Sequence, residues 1–254
     1  MSNSSATRPV VFIICAGHSV KKLDGDPLTE EGLVLLDYQK DGTHFLLFQM
    51  HIRRCLDLVR DYLQRGWQPY LVFSGGISRN ESPFSEAETY LEIAERLPEW
   101  KPEYHDLVVL EPFARDSYEN CLFGLAAGYS ASQSIPAEVV MVSFAFKSQR
   151  FGYHAAAMGL VPEGTNNLAP EDVPKFRFVG VGNPPGLGGA LIGEANAVKL
   201  FLFDPHGLSA ECNLKRTERN PLNRQHNYSE GAVGWPLIAS LLVLNKSLSS
   251  TSRS

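Results

Sequence analysis

Three stretches of this chain share one layout, a short apolar run that stops at a polar or glycine-rich turn and then opens a helix: LVFSGGISRN…SEAETYLEIA, LVVLEPFARDSYENCLFGL and VVMVSFAFKSQRFGYHAAAMG. Apolar runs of this length alternating with helices read as parallel strands joined by right-handed crossovers, buried on both faces. The turns at Ser74 to Gly76, Glu111 to Asn120 and Ser143 to Arg150 then emerge together at the carboxyl edge of one sheet, where open α/β folds bind ligands. The fold class that follows is a three-layer α/β/α, Rossmann-like domain with a mostly parallel sheet.

The remaining elements fit this frame. A first strand spans Val10 to Cys15 and ends at Ala16-Gly17-His18-Ser19, and Asp24 to Gly42 is a polar excursion. From Thr43 to Gln64 apolar residues recur at three- and four-residue intervals, and Gly66 fits a carboxyl cap. Strands follow at Tyr70 to Phe73, Leu107 to Leu110, Val139 to Val142 and Phe176 to Val181. Helices follow at Ser85 to Leu97, Ser117 to Tyr129, Ser148 to Met158 and Gly189 to Phe203. Residues 10–207 form the domain. Residues 208–254 form an extension, with an irregular polar arm over Asn213 to Glu230, the apolar segment Trp235 to Leu244 and a disordered Ser-rich end.

Composition narrows the partners. A net charge of −5 argues against bulk attraction to nucleic acid or anionic lipid, so any anion site is local. WPLIASLLVL is shorter than the roughly 18 residues that span a bilayer, and reads as a packing tail, an interfacial helix or a partner contact. The start, MSNSSATRP, lacks the basic and apolar segments of a secretory leader, which places the chain in the cytoplasm. Cys15, Cys55, Cys121 and Cys212 show no zinc spacing and read as small buried residues in a reduced compartment. Neither the histidines nor the acids are spaced as a metal site, and no Walker loop or GxSxG elbow is present. GVGNPPGLGG at Gly180 to Gly189 fails as a dinucleotide loop because its spacing is wrong and its two prolines supply no N–H groups.

Chemistry-bearing residues concentrate at the three turns. Ser74, Gly75 and Gly76 allow close backbone approach and expose N–H groups to an anion, or form a tight turn alone. Ser85 and Glu88 have capping-box spacing, which leaves Glu86 as a solvated first-turn acid or a general base. Glu111, Arg115, Asp116, Ser117, Glu119 and Asn120 crowd one strand-to-helix turn. There Asp116 or Ser117 caps the helix, and Arg115 pairs with a surface acid or serves a ligand. After Ser143, Lys147 and Arg150 stand at the start of a helix, where their charge opposes the helix dipole. They meet a bound phosphate, or they pair with Glu86 or Glu111. Gly17 and His18 reach the same cleft from the first strand.

Taken in order, Ser74-Gly75-Gly76, Ser85-Glu86-Ala87, the set Glu111, Arg115, Asp116, Ser117, Glu119 and Asn120, and finally Arg150 resemble the motif series of the SanA/YdcF-like family, domain of unknown function 218, over residues 10–160. Two positions depart from it: Lys147 stands where histidine is usual and Asp116 where an amide is usual. The segments FLFDPHG and LKRTERNPLNR resemble the extension of fungal members. The resemblance implies a Rossmann-like fold with a polar pocket at the strand ends, no settled reaction and no known cofactor.

Three functions are open at this level. The first is an enzyme, a hydrolase or transferase, or a binding protein for a small anionic, phosphorylated or nucleotide-like ligand, with Glu86, Glu111 and Glu119 as acid–base groups. The second is a non-catalytic sensor for an adenosyl-type cofactor. The third is an interaction or trafficking factor that engages a protein partner through residues 208–244.

Overall fold

The computed structural model describes residues 8–164, 173–228, 232 and 234–249. Most of MSNSSATRP, part of the loop after Val161 and most of the Ser-rich end lie outside them. Strands β1 (Val10–Ala16), β4 (Gln68–Ser74), β5 (Val108–Glu111), β6 (Glu138–Ser143), β7 (Val161–Pro162) and β8 (Lys175–Gly180) form one sheet in the order β5-β4-β1-β6-β8-β7. Every pairing in it is parallel. Two short strands, β2 (Val20–Lys21) and β3 (Leu33–Val34), pair antiparallel inside the polar excursion.

Alternation in β1 divides the core between the faces of the sheet. Val11, Ile13 and Cys15 point to one side, where they meet Phe48, Ile52 and Cys55 of α1 (His44–Gln64) and Tyr90 and Ile93 of α2 (Glu86–Glu95). Phe12, Ile14 and Ala16 point to the other, against Leu122 and Phe123 of α3 (Ser117–Ser132) and Phe151 of α4 (Ser148–Ala157). A strand buried on both faces needs apolar residues at every position, which is what VVFIICA supplies. The three-layer α/β/α, Rossmann-like fold expected from the sequence is the fold observed.

Local signals act as read. Gly66, at φ +76°, ends α1 as the left-handed residue of a Schellman motif: its N–H donates to the Leu63 carbonyl and the Trp67 N–H to that of Tyr62. Ser85 and Glu88 close the capping box of α2 in both directions.

The carboxyl-terminal arm departs from the reading. Helix α5 (Leu187–Phe203) is followed by α6 (Ala210–Glu218), so the arm expected to be irregular from Asn213 opens as helix. Ser209 caps α6, accepting a hydrogen bond from the Cys212 N–H. The apolar tail is α7 (Pro236–Ser249), and Trp235, Ile238 and Leu242 are buried in the same core as α3. It packs as a tail, and no helix among the described residues is long and apolar enough to cross a membrane.

Candidate functional site

The chain runs from β1 through β4 to β5 toward one edge, then returns to β6 and continues to β8 toward the other. The order therefore reverses between β1 and β6, and a crevice must open at their carboxyl ends. A cavity of about 630 Å³ lies there, within the size range of small-molecule sites. Nine of the expected site residues line it: Gly17, His18, Glu86, Arg115, Asp116, Ser117, Asn120, Lys147 and Arg150.

His18 leaves the end of β1 and stacks on Phe144, with ring centroids 4.7 Å apart. Its Nε2 is 3.2 Å from the buried Ser143 hydroxyl and its Nδ1 is 3.4 Å from Lys147 Nζ. Burial, reinforced by the Lys147 charge, holds the imidazole well below its ordinary range, so the ring is neutral at physiological pH. Lys147 itself, read from the sequence as a charge opposing the helix dipole, is lowered to about 7 by burial and by neighbouring Arg150. Among the described residues it has no ion-pair partner, and its Nζ lies 5.1 and 5.8 Å from the ring centroids of Phe144 and Phe146.

Arg150 pairs with neither Glu86 nor Glu111. Its Nη2 lies 2.7 Å from Glu194, the one acidic residue of α5. The pair is incomplete, since Arg150 Nε and Glu194 Oε1 are buried without a hydrogen-bond partner. Burial raises the Glu194 carboxyl and lowers the Arg150 guanidinium, so both charged forms are poorly solvated where they stand.

Glu86 opens α2. Its carboxylate accepts a hydrogen bond from Ser78 at 2.8 Å, and burial raises its pKa. The backbone passes close by at Gly17, where an added Cβ would fall 2.5 Å from the Glu86 Cβ. The glycine is needed for that approach.

At the α3 turn, Asp116 is the cap, accepting from the Glu119 N–H at 2.8 Å. Its other oxygen lies 2.6 Å from Arg216 Nε of α6. Burial works against the Asp116 charge, but the Arg216 guanidinium outweighs it and holds the carboxyl at about 2. Ser117 Oγ is 2.8 Å from His154 Nε2, while His154 Nδ1 is buried without a partner. A proton on Nδ1 would be an orphaned donor, so Nε2 carries it and donates to Ser117. The serine hydroxyl then points its own proton elsewhere and is not activated as a nucleophile.

The other expected residues build the edge without facing the cavity. The Gly75 N–H donates to the Glu111 carbonyl and the Gly76 N–H to the Ala114 carbonyl, at 2.9 and 2.7 Å. Neither is free for an anion, which corrects the role expected of the SGG turn. Glu111, fully buried, accepts from the Ser74 hydroxyl, the Phe113 and Ala114 N–H groups and the Tyr228 hydroxyl. Burial still lifts it to about 7. Protonated, it can donate to Ser74, which passes its own proton to Asn120 Oδ1 at 2.9 Å. Glu119, also buried, is gripped by Arg115 through Nε and Nη2 at 2.8 and 2.5 Å. The acid expected to meet Arg115 at the surface is thus inside, and Glu111 and Glu119 act as struts.

Several lining residues carry no motif. Arg79, Glu194 and Arg219 face the cavity, and Pro184, Pro185 and Gly186 of the segment set aside as a dinucleotide loop form part of its wall. A lone acid in LGGALIGEANAVKLFLF was the available signal for Glu194. Arg219 lay in the basic run LKRTERNPLNR, which reads as a solvated arm until α6 is seen to bring it back.

The uncharacterized protein YOR238W of Saccharomyces cerevisiae is 22% identical to this chain over 246 residues, covering 77% of this chain and 76% of that protein. No protein-family model matches the chain. No solved structure matches it.

Proposed function

We propose that this chain binds a small anionic compound, phosphorylated or nucleotide-like, between β1 and β6, and acts on it as a hydrolase or transferase. One observation carries the reading: five cationic side chains, Arg79, Arg115, Lys147, Arg150 and Arg219, line a cavity that holds only three carboxylates, Glu86, Asp116 and Glu194. Glu119 and Arg216, both outside the lining, neutralise Arg115 and Asp116, which leaves Arg79, Arg150 and Arg219 against Glu86 and Glu194 even when Lys147 is uncharged. In a water-poor crevice such an excess favours an incoming phosphate and stabilises charge that develops on it. Glu86 is the acid–base candidate, because it alone of the three expected acids reaches the cavity. The likeness to the SanA/YdcF-like family belongs to this reading, as does a cytoplasmic location, which the four free, buried cysteines support.

The test is thermal unfolding of the purified chain with inorganic phosphate, sugar phosphates, nucleotides and adenosyl compounds. Ligand at a hundred times its Kd adds about 2.7 kcal/mol of stability. The expected result is a rise in Tm with phosphorylated compounds that Arg150→Ala and Arg219→Ala lose. Glu86→Gln should keep the rise and lose turnover. A rise confined to adenosyl compounds, without turnover, would transfer the site to a cofactor sensor. No rise with any of them would remove the anion site.

A further inference from the structure

Lys147 is placed unlike the other cations of the cavity. Arg115 is held by Glu119 and Arg150 by Glu194, while Arg79 and Arg219, which also lack a carboxylate partner among the described residues, donate to the Ser78 and Arg115 carbonyls. Lys147 has no carboxylate partner among the described residues. Its amine lies near two phenylalanine rings, and among the described residues its one hydrogen-bond neighbour is the imidazole of His18. A lysine used only to hold phosphate needs none of this. A lysine set in apolar surroundings beside another cation is the arrangement that makes an amine nucleophilic toward carbonyl carbon.

We propose that Lys147 forms a Schiff base with the carbonyl group of a phosphorylated aldehyde or ketone, with His18 as the proton carrier and Arg150 and Arg219 taking the phosphate. The phosphate contact rests on the anion reading above, and the covalent step goes beyond it. The neutral Nζ lone pair attacks the carbonyl carbon, forming a C–N bond while the C=O π pair moves to oxygen. His18 Nδ1 takes a proton from the nitrogen and returns it to that oxygen, giving a carbinolamine. A second proton passes from the nitrogen through the same imidazole to the hydroxyl, which leaves as water while the nitrogen lone pair closes the C=N bond. One water is released and no oxidant or reductant is consumed.

The imidazole is set for this role. With Nε2–H donating to the Ser143 hydroxyl, Nδ1 is the free acceptor and faces Lys147. Burial keeps the ring neutral, and burial together with Arg150 brings Lys147 to about 7, so a substantial fraction of the amine is unprotonated at neutral pH. Glu86 and Glu194 act on the same amine in the opposite direction, and Arg219 reinforces Arg150.

The experiment is borohydride trapping of the full chain with glyceraldehyde phosphate, followed by intact mass and peptide mapping. A parallel melting series uses glycerol phosphate, which has the phosphate and lacks the carbonyl. The expected result is one reduced adduct per chain, mapped to Lys147, formed on the order of a hundredfold faster than at surface lysines and suppressed by excess glycerol phosphate. Lys147→Arg should lose the adduct and keep the Tm rise with glycerol phosphate. Adducts spread over surface lysines with none favoured at Lys147, in a wild-type chain that glycerol phosphate still stabilises, would overturn the Schiff base and leave the anion site standing. Absence of both adduct and stabilisation would overturn both.

Discussion

Arg216 reaches back across 100 positions of sequence to Asp116, and only 2% of its side chain is exposed. Its Nη1 also donates to the Gly207 carbonyl at 2.7 Å, and its Nε lies 3.3 Å from Glu119. It therefore anchors a buried cluster in which Arg115, Asp116, Glu119 and Arg216 balance in charge. Removing one partner of such a group leaves an uncompensated charge out of water, so Arg216→Ala should cost about 3–5 kcal/mol in urea unfolding. Arg216→Lys should recover little of this, because a point charge cannot fork between a carboxylate and a carbonyl. A loss under 1 kcal/mol for Arg216→Ala would show that the cluster is solvated. The contact also gives Asp116 a physical reason: one carboxylate oxygen caps α3 and the other meets Arg216. Asp116 was legible as a cap from its place before SYEN. Its partner was not, since one arginine in a basic run looks like any other until the helix that turns it inward is known.

At the level of elements, helix α3 lies so close to β1 that glycine serves as a spacer. A Cβ at Gly128 would meet the Phe12 ring at 2.8 Å, whereas one at Gly152 in α4 would meet nothing within 4 Å. Replacing a helix-interior glycine by alanine normally stabilises by about 0.5–1 kcal/mol. Gly152→Ala should follow that rule. Gly128→Ala should reverse it and lower Tm, since the ring lies in a packed core that resists displacement. In α7, Ile238 is fully buried against the α3 layer. Ile238→Ala should lose about 2–5 kcal/mol, the cost of a cavity in a core; a loss no larger than at exposed Val243 would mean that the tail is dispensable. Five of the six sheet strands were readable to within a residue or two, most plainly the central ones, which are buried on both faces and apolar throughout; β7, two residues at the sheet edge, was read as loop. β2 and β3 were missed because two-residue strands inside Asp24 to Gly42 carry no periodicity. α6 was missed because only Cys212 and Arg216 of its nine residues are buried, and one of them is charged.

For the molecule as a whole, the buried histidines set the response to acid. Burial holds His51 and His154 at about 3, below the ordinary 6.5, so the folded chain keeps them neutral while the unfolded chain protonates them. Their contribution is complete above pH 6.5 and is lost as pH falls. Glu111, raised from 4.5 to about 7, works in the opposite sense, because the folded chain holds its proton longer than the unfolded one. His18 and His226 are lowered by burial in the same way, and Glu86 and Glu194 are raised like Glu111. Four histidines thus stand against three carboxyls, and stability should fall between pH 6 and 5, by roughly 1.4 kcal/mol per pH unit for each net proton that the unfolded chain takes up. Urea midpoints across that window measure it, and His154→Gln should flatten the slope. The location of the crevice was legible at the same scale, because strand ends that share one sheet edge must converge. Its membership was only partly so: Glu194 and Arg219 enter from segments whose own patterns say nothing about the crevice.

That entry has a consequence for how the protein is made. A ribosome delivers Asp116, Glu119 and the whole first half of the crevice well before Arg216, Arg219 and Tyr228 exist. The nascent sheet must wait with its acidic turn open to water. The wall closes only when Arg219 arrives, so a translation product ended before Arg216 would carry the fold's strands and leave Asp116 without the arginine that neutralises it.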